Sequence, residues 1–236
     1  LAAVPKFANG RNAPGEKPKI EPALSVRDLI VRFDVKGGFF HRTKQRVHAV
    51  EKISFDLMPG ETLALVGESG CGKTTTGRCI LRLIEPTSGS VRFEGTEVTT
   101  LARGDLRALR RRMQIVFQDP YSSLNPRQRV RDVIRAPLDI HGVASAAERR
   151  DAVAALMARV GLRADQAGDF PHQFSGGQRQ RIGIARALAL KPDILICDEP
   201  VSALDVSVQA QILNLLADLQ KEFGLSYRFI SHDLSV

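Results

Sequence analysis

Residues Gly67 to Thr74 read Gly-Glu-Ser-Gly-Cys-Gly-Lys-Thr. Gly67 and Gly72 bracket four residues and lead straight into Lys73 and Thr74, the pattern of a backbone that cradles phosphate. Glycines let the chain bend with its N–H groups turned inward, and a following helix N-terminus adds partial positive charge, so an anion is favoured. In such a loop Glu68, Ser69, Gly70 and Cys71 contribute backbone, Lys73 reaches the β- and γ-phosphates, and the Thr74 hydroxyl ligates Mg²⁺ with Thr75 beside it. A plain glycine-rich turn does not require Lys-Thr at its end. Nucleotide binding is the expectation.

Two further groups bear on the same chemistry. Ile194 to Cys197 is apolar and is followed by Asp198-Glu199, which sets two carboxylates at the end of a buried strand. There an aspartate can associate with Mg²⁺ and a glutamate can activate water. Acidic residues also begin ordinary turns, so the pair gains meaning only from the phosphate loop earlier in the chain. Ser175-Gly176-Gly177-Gln178 suits the start of a helix and, equally, a second anion site.

The elements that must position these residues alternate. Thr62 to Val66 is expected as a buried strand ahead of the loop, with a helix from Thr75 to Ile84 behind it. Leu24 to Phe33, Val47 to Leu57 and Gly89 to Phe93 read as strands, separated at Lys36 to His41 by a loop. A helix from Asp105 to Arg112 leads to a strand at Gln114 to Phe117. Val130 to Gly161 is helical in pattern, Gln178 to Leu190 is a helix, and Val208 to Phe223 marks a helix stopped by Gly224. The final strand spans Leu225 to Ile230. Strands alternating with helices predict an α/β fold with a mostly parallel sheet and its ligands at the carboxyl ends of the strands.

Composition narrows the classes. The 236 residues suffice for one large α/β domain, and 43% hydrophobic with 25% charged residues is ordinary for a globular protein. The formal net charge of +8 raises the question of nucleic acid or an anionic surface. Five arginines crowd between Arg103 and Arg112, and a solvated basic face is the expectation there. No apolar run reaches the 18 or so residues of a membrane span, and no secretory signal is visible. Cys71, Cys79 and Cys197 are odd in number and widely spaced, which indicates neither a disulfide framework nor zinc and fits a reducing compartment. Residues 1–22 hold Pro5, Pro14, Pro18 and Pro22 with Gly10 and Gly15 and read as a linker. The chain opens on Leu1 and stops shortly after His232-Asp233, so a domain cut at both ends is expected.

Taken together, Gly67 to Thr74, Phe117-Gln118-Asp119-Pro120, Phe174 to Arg181, Ile194 to Pro200, Ser202-Ala203-Leu204-Asp205 and Ser231-His232-Asp233 fall in order and spacing as in ATP-binding-cassette ATPases. The resemblance runs from about Leu24 to the end. It implies a P-loop NTPase core with a helical subdomain at about 118–174, an antiparallel β subdomain near the N-terminus, and ATP with Mg²⁺ as ligands. It further implies that Glu199 is the general base and that Gln118 senses the metal and the nucleophilic water. Thr74, Gln118 and Asp198 would serve the metal, and His232 would contact the γ-phosphate. Asp205 would communicate across a dimer in which Ser175, Gly176, Gly177 and Gln178 bind the ATP held by an opposite cassette.

Val47 to Leu57 and Phe117 to Arg127 are similar to the peptide importer branch of that family. This implies the second cassette of a fused pair, residues 1–22 being the tail of the first. Transmembrane permease subunits and, indirectly, a periplasmic binding protein are the implied partners, with no nucleic acid. The implied place is peripheral, on the cytoplasmic face of the inner membrane, energising import of glutathione or small peptides. Longer peptides and nickel chelates remain open as cargo. Soluble cassettes that act on DNA or ribosomes usually carry a coiled-coil or zinc insertion, which this sequence lacks. A nucleotide sensor without turnover fits poorly with the presence of both Glu199 and His232. Two departures stand out: Arg228 lies in an otherwise apolar strand where an aliphatic residue is usual, and the adenine-stacking aromatic is not evident among Phe39, Phe40 and His41, with Phe40 the preferred choice.

Overall fold

The computed structural model describes residues 21–35 and 45–231. Phe39, Phe40, His41 and His232, with the expected linker up to residue 20, lie outside the described residues. The element order is β1 (Leu24–Val35), β2 (Gln45–Leu57), β3 (Thr62–Val66), α1 (Lys73–Ile80), β4 (Ser88–Phe93), β5 (Thr96–Glu97), α2 (Arg103–Leu109) and β6 (Met113–Val116). Then come α3 (Pro120–Ser123), α4 (Val130–Ile140), α5 (Ala146–Arg159), α6 (Gly176–Leu188), β7 (Ile194–Asp198), α7 (Val206–Phe223) and β8 (Ser226–Ser231).

Two four-stranded sheets organise these elements. One is antiparallel in the order β2-β1-β4-β5, and the other is parallel in the order β3-β8-β7-β6. Every residue of β7 is buried. Its side chains alternate, Leu195 and Cys197 entering a core shared with α4 to α7, Ile194 and Ile196 entering a core shared with the antiparallel sheet and α1. A parallel strand covered on both faces reads as a continuous apolar run, which is why its sequence lacks alternation. α1 comes close over the sheet because Gly77 has no side chain; a Cβ there would lie 3.0 Å from Ile230 Cδ1.

Several expectations need correction. β3 is not enclosed: it is the sheet's edge among the described residues, and Thr62, Ala64 and Val66 are exposed in alternation. Its position depends on sheet order, which no local pattern encodes. The helix expected up to Ile84 spans only Lys73–Ile80, and Arg82 with φ +51 turns the chain. α2 spans Arg103–Leu109, shorter at its end than expected, and the Arg110 side chain beyond it donates to the Leu81 and Arg82 carbonyls. The basic run is therefore only partly solvated: Arg103, Arg107 and Arg112 are exposed, yet Arg107 donates to the Ile140 carbonyl and Arg112 pairs with Glu94 and Asp193, while Arg110 is drawn inward. The helical stretch after Val130 breaks at Gly142, where φ is +61, and Ser145 and Glu148 cap the next helix reciprocally.

Arg228 is 1% exposed and forms no ion pair among the described residues. Its guanidinium lies 4.3 Å from the Phe55 ring centroid, one amino group donates to the Leu63 carbonyl at 3.2 Å, and its Nε has no hydrogen-bond partner there. The strand packs regularly around it, so a cation–π contact takes the place of a carboxylate.

Candidate functional site

The loop between Val66 and Lys73 turns back under β2. Gly70 and Gly72 have φ of +82 and +91, a region that L side chains avoid. A Cβ on Gly72 would stand 1.9 Å from the Ala49 carbonyl oxygen, so no other residue fits. Lys73 is 5% exposed, and its ammonium donates to the Gly67 and Glu68 carbonyls at 2.7 Å each. It thereby staples the loop around a positive charge placed at the start of α1.

Thr74 opens the same helix, and its hydroxyl donates to the Asp198 carboxylate at 2.8 Å. Asp198 is 2% exposed. Burial pushes its carboxyl above the ordinary range, while the Thr74 hydrogen bond and the charges of Arg78 and Lys73 pull the other way. A buried carboxylate beside a hydroxyl, short of positive charge, suits a divalent cation held through one carboxylate and the phosphates of a nucleotide. The residues present therefore fit Mg²⁺ and a phosphate ester.

Glu199 follows at the end of β7 with φ +46, a strained setting for a glutamate. Its backbone N–H is fixed by the Ile230 carbonyl at 3.0 Å, and its carboxylate accepts from the Gln118 amide at 2.7 Å. Gln118 stands between β6 and α3, so neighbouring strands β6 and β7 deliver the pair.

A cleft of about 580 Å³ joins these groups, walled by Val47, His48 and Ala49 of β2, by the loop and Lys73 to Thr75, and by Gln118 and Glu199. A smaller hollow of about 450 Å³ lies behind, between Arg78, Asp119 and Asp198. Val47 to Ala49 and the pair Ser202 and Ala203 belong to segments singled out for their family resemblance, but their place on the cleft wall was not anticipated from the sequence. Val47 and His48 open the segment that resembles the importer branch, a likeness that says nothing of where β2 runs relative to the loop.

The Ser175–Gln178 segment stands apart. Ser175 Oγ accepts from the Gln178 N–H at 3.3 Å and Gln178 Oε1 accepts from the Ser175 N–H at 3.0 Å, so the two form a capping box on α6. Close packing requires Gly177, where a Cβ would meet Val208 Cγ1 at 2.4 Å. None of these four residues lines the cleft. The structure thus brings the phosphate loop, Asp198, Glu199 and Gln118 together and leaves Ser175–Gln178, the segment expected as a second anion site, outside.

An α/β core of this kind, with a phosphate loop facing paired carboxylates, is a nucleotide-binding domain. The family model for ABC transporters matches residues 50–202, and the chain belongs to that family. Among curated proteins, the glutathione import ATP-binding protein GsiA of Escherichia coli is 57% identical over 216 residues, which is 92% of this chain and 35% of that protein. The Shigella flexneri protein of the same name gives the same figures. The chain spans about a third of the length of these relatives. A dimeric post-hydrolysis structure of the ATP-binding cassette MJ0796 with ADP and Pi is 30% identical, with a TM-score of 0.77 over 89% of this chain and 88% of that one. The cbiO1 cassette of Clostridium perfringens, part of the complex cbiONQ, is 28% identical with a TM-score of 0.74 over 90% and 79%. The cassette fold expected from the motifs is the fold observed. No helix among the described residues is long and apolar enough to cross a membrane.

Proposed function

We propose that this chain is an ATP-hydrolysing cassette that powers a membrane importer, with glutathione or a small peptide as cargo. Lys73 and the loop amides hold the β- and γ-phosphates. Thr74 and Asp198, with Gln118, hold Mg²⁺, which when bound neutralises charge on those phosphates. Glu199 takes the proton of the attacking water, and Gln118 orients its carboxylate. The observation that supports this reading best is that Thr74, Gln118 and Glu199 wall one cleft beside Lys73, with Gln118 and Glu199 in contact at 2.7 Å and Thr74 tied at 2.8 Å to Asp198, which lines the adjoining hollow.

The remaining roles follow from the family and the GsiA relationship. Ser175 to Gln178 engage ATP on a second cassette, within the same full-length polypeptide, and His232 contacts the γ-phosphate. Residues 118–174 serve as the helical subdomain, and residues 1–22 link to a preceding cassette. Permease subunits hold the protein peripherally at the cytoplasmic face of the inner membrane, and a periplasmic binding protein delivers cargo. Import rests on the 57% identity to a glutathione import subunit.

The deciding experiment is Glu199→Gln. Nucleotide affinity is expected to stay within about twofold while turnover drops by roughly 10²–10⁴, the span of general-base catalysis. Hydrolysis at the unmutated rate would remove Glu199 from the mechanism. Glutathione-stimulated ATP turnover in membranes carrying the complete transporter tests the cargo.

A further inference from the structure

α3 is a single turn, yet α6 grips it at both ends. Arg186 donates to the Ser123 carbonyl at 2.6 Å, at the far end of α3. Arg179 lies with its guanidinium carbon 5.3 Å from the centroid of the Tyr121 ring, at the near end. The same Arg179 donates to the Phe174 carbonyl at 2.6 Å. Phe174 is buried and immediately precedes Ser175. Tyr121 in turn gives its backbone N–H to Asp119 at 2.8 Å, next in sequence to Gln118. The Asp119 carboxylate also lies within the electrostatic reach of Arg179.

One side chain therefore joins the backbone just before the Ser175–Gln178 loop to the ring of Tyr121, three residues after Gln118. The contact asks more of Arg179 than a solvated surface arginine would give. Its Nε is buried without a hydrogen-bond partner among the described residues, a desolvation that only a packed, fixed guanidinium tolerates. Tyr121, by contrast, has 62% of its surface exposed, and the Arg179 cation lies over its ring. An arginine over an aromatic face is planar and directional, and it transmits displacement better than a flexible lysine does.

We propose that Arg179 and Tyr121 are positioning residues: through them, an anion engaged by the Ser175–Gln178 loop sets Gln118 against Glu199. Movement of the loop carries the Phe174 carbonyl, Arg179 follows it, and the Tyr121 ring carries the start of α3 with Gln118. Neither side chain touches nucleotide. Arg186 provides the fixed end about which α3 turns. The inference rests on the function proposed above and adds the path by which the outlying loop reaches the base.

The test is single-turnover hydrolysis with the 236-residue chain in excess over ATP, at high protein concentration, where slow rates are as measurable as fast ones. Arg179→Met and Tyr121→Leu are each expected to slow hydrolysis ten- to hundredfold, the range for a misplaced catalytic group, with ATP affinity within about twofold. The double variant should be no slower than either single variant, because one connection has been cut. Tyr121→Phe keeps the ring and should keep the rate. Unchanged rates in both single variants, losses that multiply, or a Tyr121→Phe as slow as Tyr121→Leu overturns the proposal. Should Arg179→Met fail to fold, the comparison of Tyr121→Leu with Tyr121→Phe decides alone, at a largely exposed position. Absence of hydrolysis by the unmutated chain instead overturns the proposed function, and this inference with it.

Discussion

Thr74 and Asp198 are separated by 124 positions and meet at 2.8 Å, hydroxyl to carboxylate. The contact joins the first turn of α1 to the end of β7, and with it the phosphate loop to the buried sheet. It also marks an imbalance, since burial raises the Asp198 carboxyl and the hydroxyl, with the charges of Arg78 and Lys73, offsets that only in part.

Asp198→Asn should accordingly separate stability from function. A folded-state value above the unfolded one means that the charged form opposes folding at neutral pH, and that the opposition fades as pH falls through the folded value. Removing the charge should stabilise the ligand-free chain by about 1 kcal/mol, or roughly 2–4 °C in a domain of this size. The same change should abolish the extra thermal stabilisation that Mg²⁺ adds to ATP. Differential scanning calorimetry, with and without each ligand, measures both. A ligand-free variant less stable than the unmutated chain would show that the carboxylate is already well compensated.

Arg228 offers a second stability test. Burial pulls its guanidinium down to about 10, and no carboxylate compensates among the described residues. A depressed cation costs stability at every pH below the folded value and is relieved only as pH rises beyond it. Arg228→Leu should therefore raise stability by about 1–3 kcal/mol, with the gain constant between pH 6 and 9. Chemical denaturation at several pH values checks this. A net loss would mean that packing on Phe55 and the Leu63 hydrogen bond outweigh desolvation.

What could be read in advance divides along a physical line. The phosphate loop was legible because each demand is local: Gly70 and Gly72 take positive φ, and Lys73 and Thr74 begin a helix. β7 was legible because full burial writes an uninterrupted apolar run. α3 and β5 were not, since four and two residues carry no periodicity. The edge position of β3 and the pairing of Arg228 with Phe55 depend on elements far apart in the chain. For the same reason the place of Val47 and His48 on the cleft wall was hidden, although their segment was marked by its family resemblance.

The cysteines give a chemical probe of the loop. Cys71 is exposed within it, whereas Cys79 and Cys197 are fully buried, and burial pushes the Cys79 thiol up to about 11. Maleimide at neutral pH should label Cys71 alone, and saturating ATP should slow that labelling severalfold by covering the loop. Peptide mapping locates the adduct. Labelling at Cys79 or Cys197, or a rate indifferent to ATP, would contradict the placement of nucleotide on this loop.

The separation of Ser175–Gln178 from the cleft leads to the last expectation. A cassette alone can hold ATP between Lys73 and Asp198, yet these four residues contribute nothing to its walls. The γ-phosphate then faces solvent on one side, and phosphoryl transfer depends almost entirely on positioning and electrostatic stabilisation. Two copies placed head to tail would present each loop to the other's cleft. Ser175 and Gln178 are locked on each other's backbone at the N-terminus of α6, and a helix N-terminus favours an anion. Specific ATPase activity should therefore rise with protein concentration until pairing saturates. Ser175→Arg places a bulky side chain at that contact and should flatten the rise while leaving ATP affinity within about twofold, because Lys73 and Thr74 are untouched. Turnover measured across a hundredfold dilution, alongside sedimentation to fix the oligomeric state, provides the check. High specific activity that persists in a demonstrated monomer would mean that the cleft is catalytically complete by itself, and that the outlying loop has another purpose.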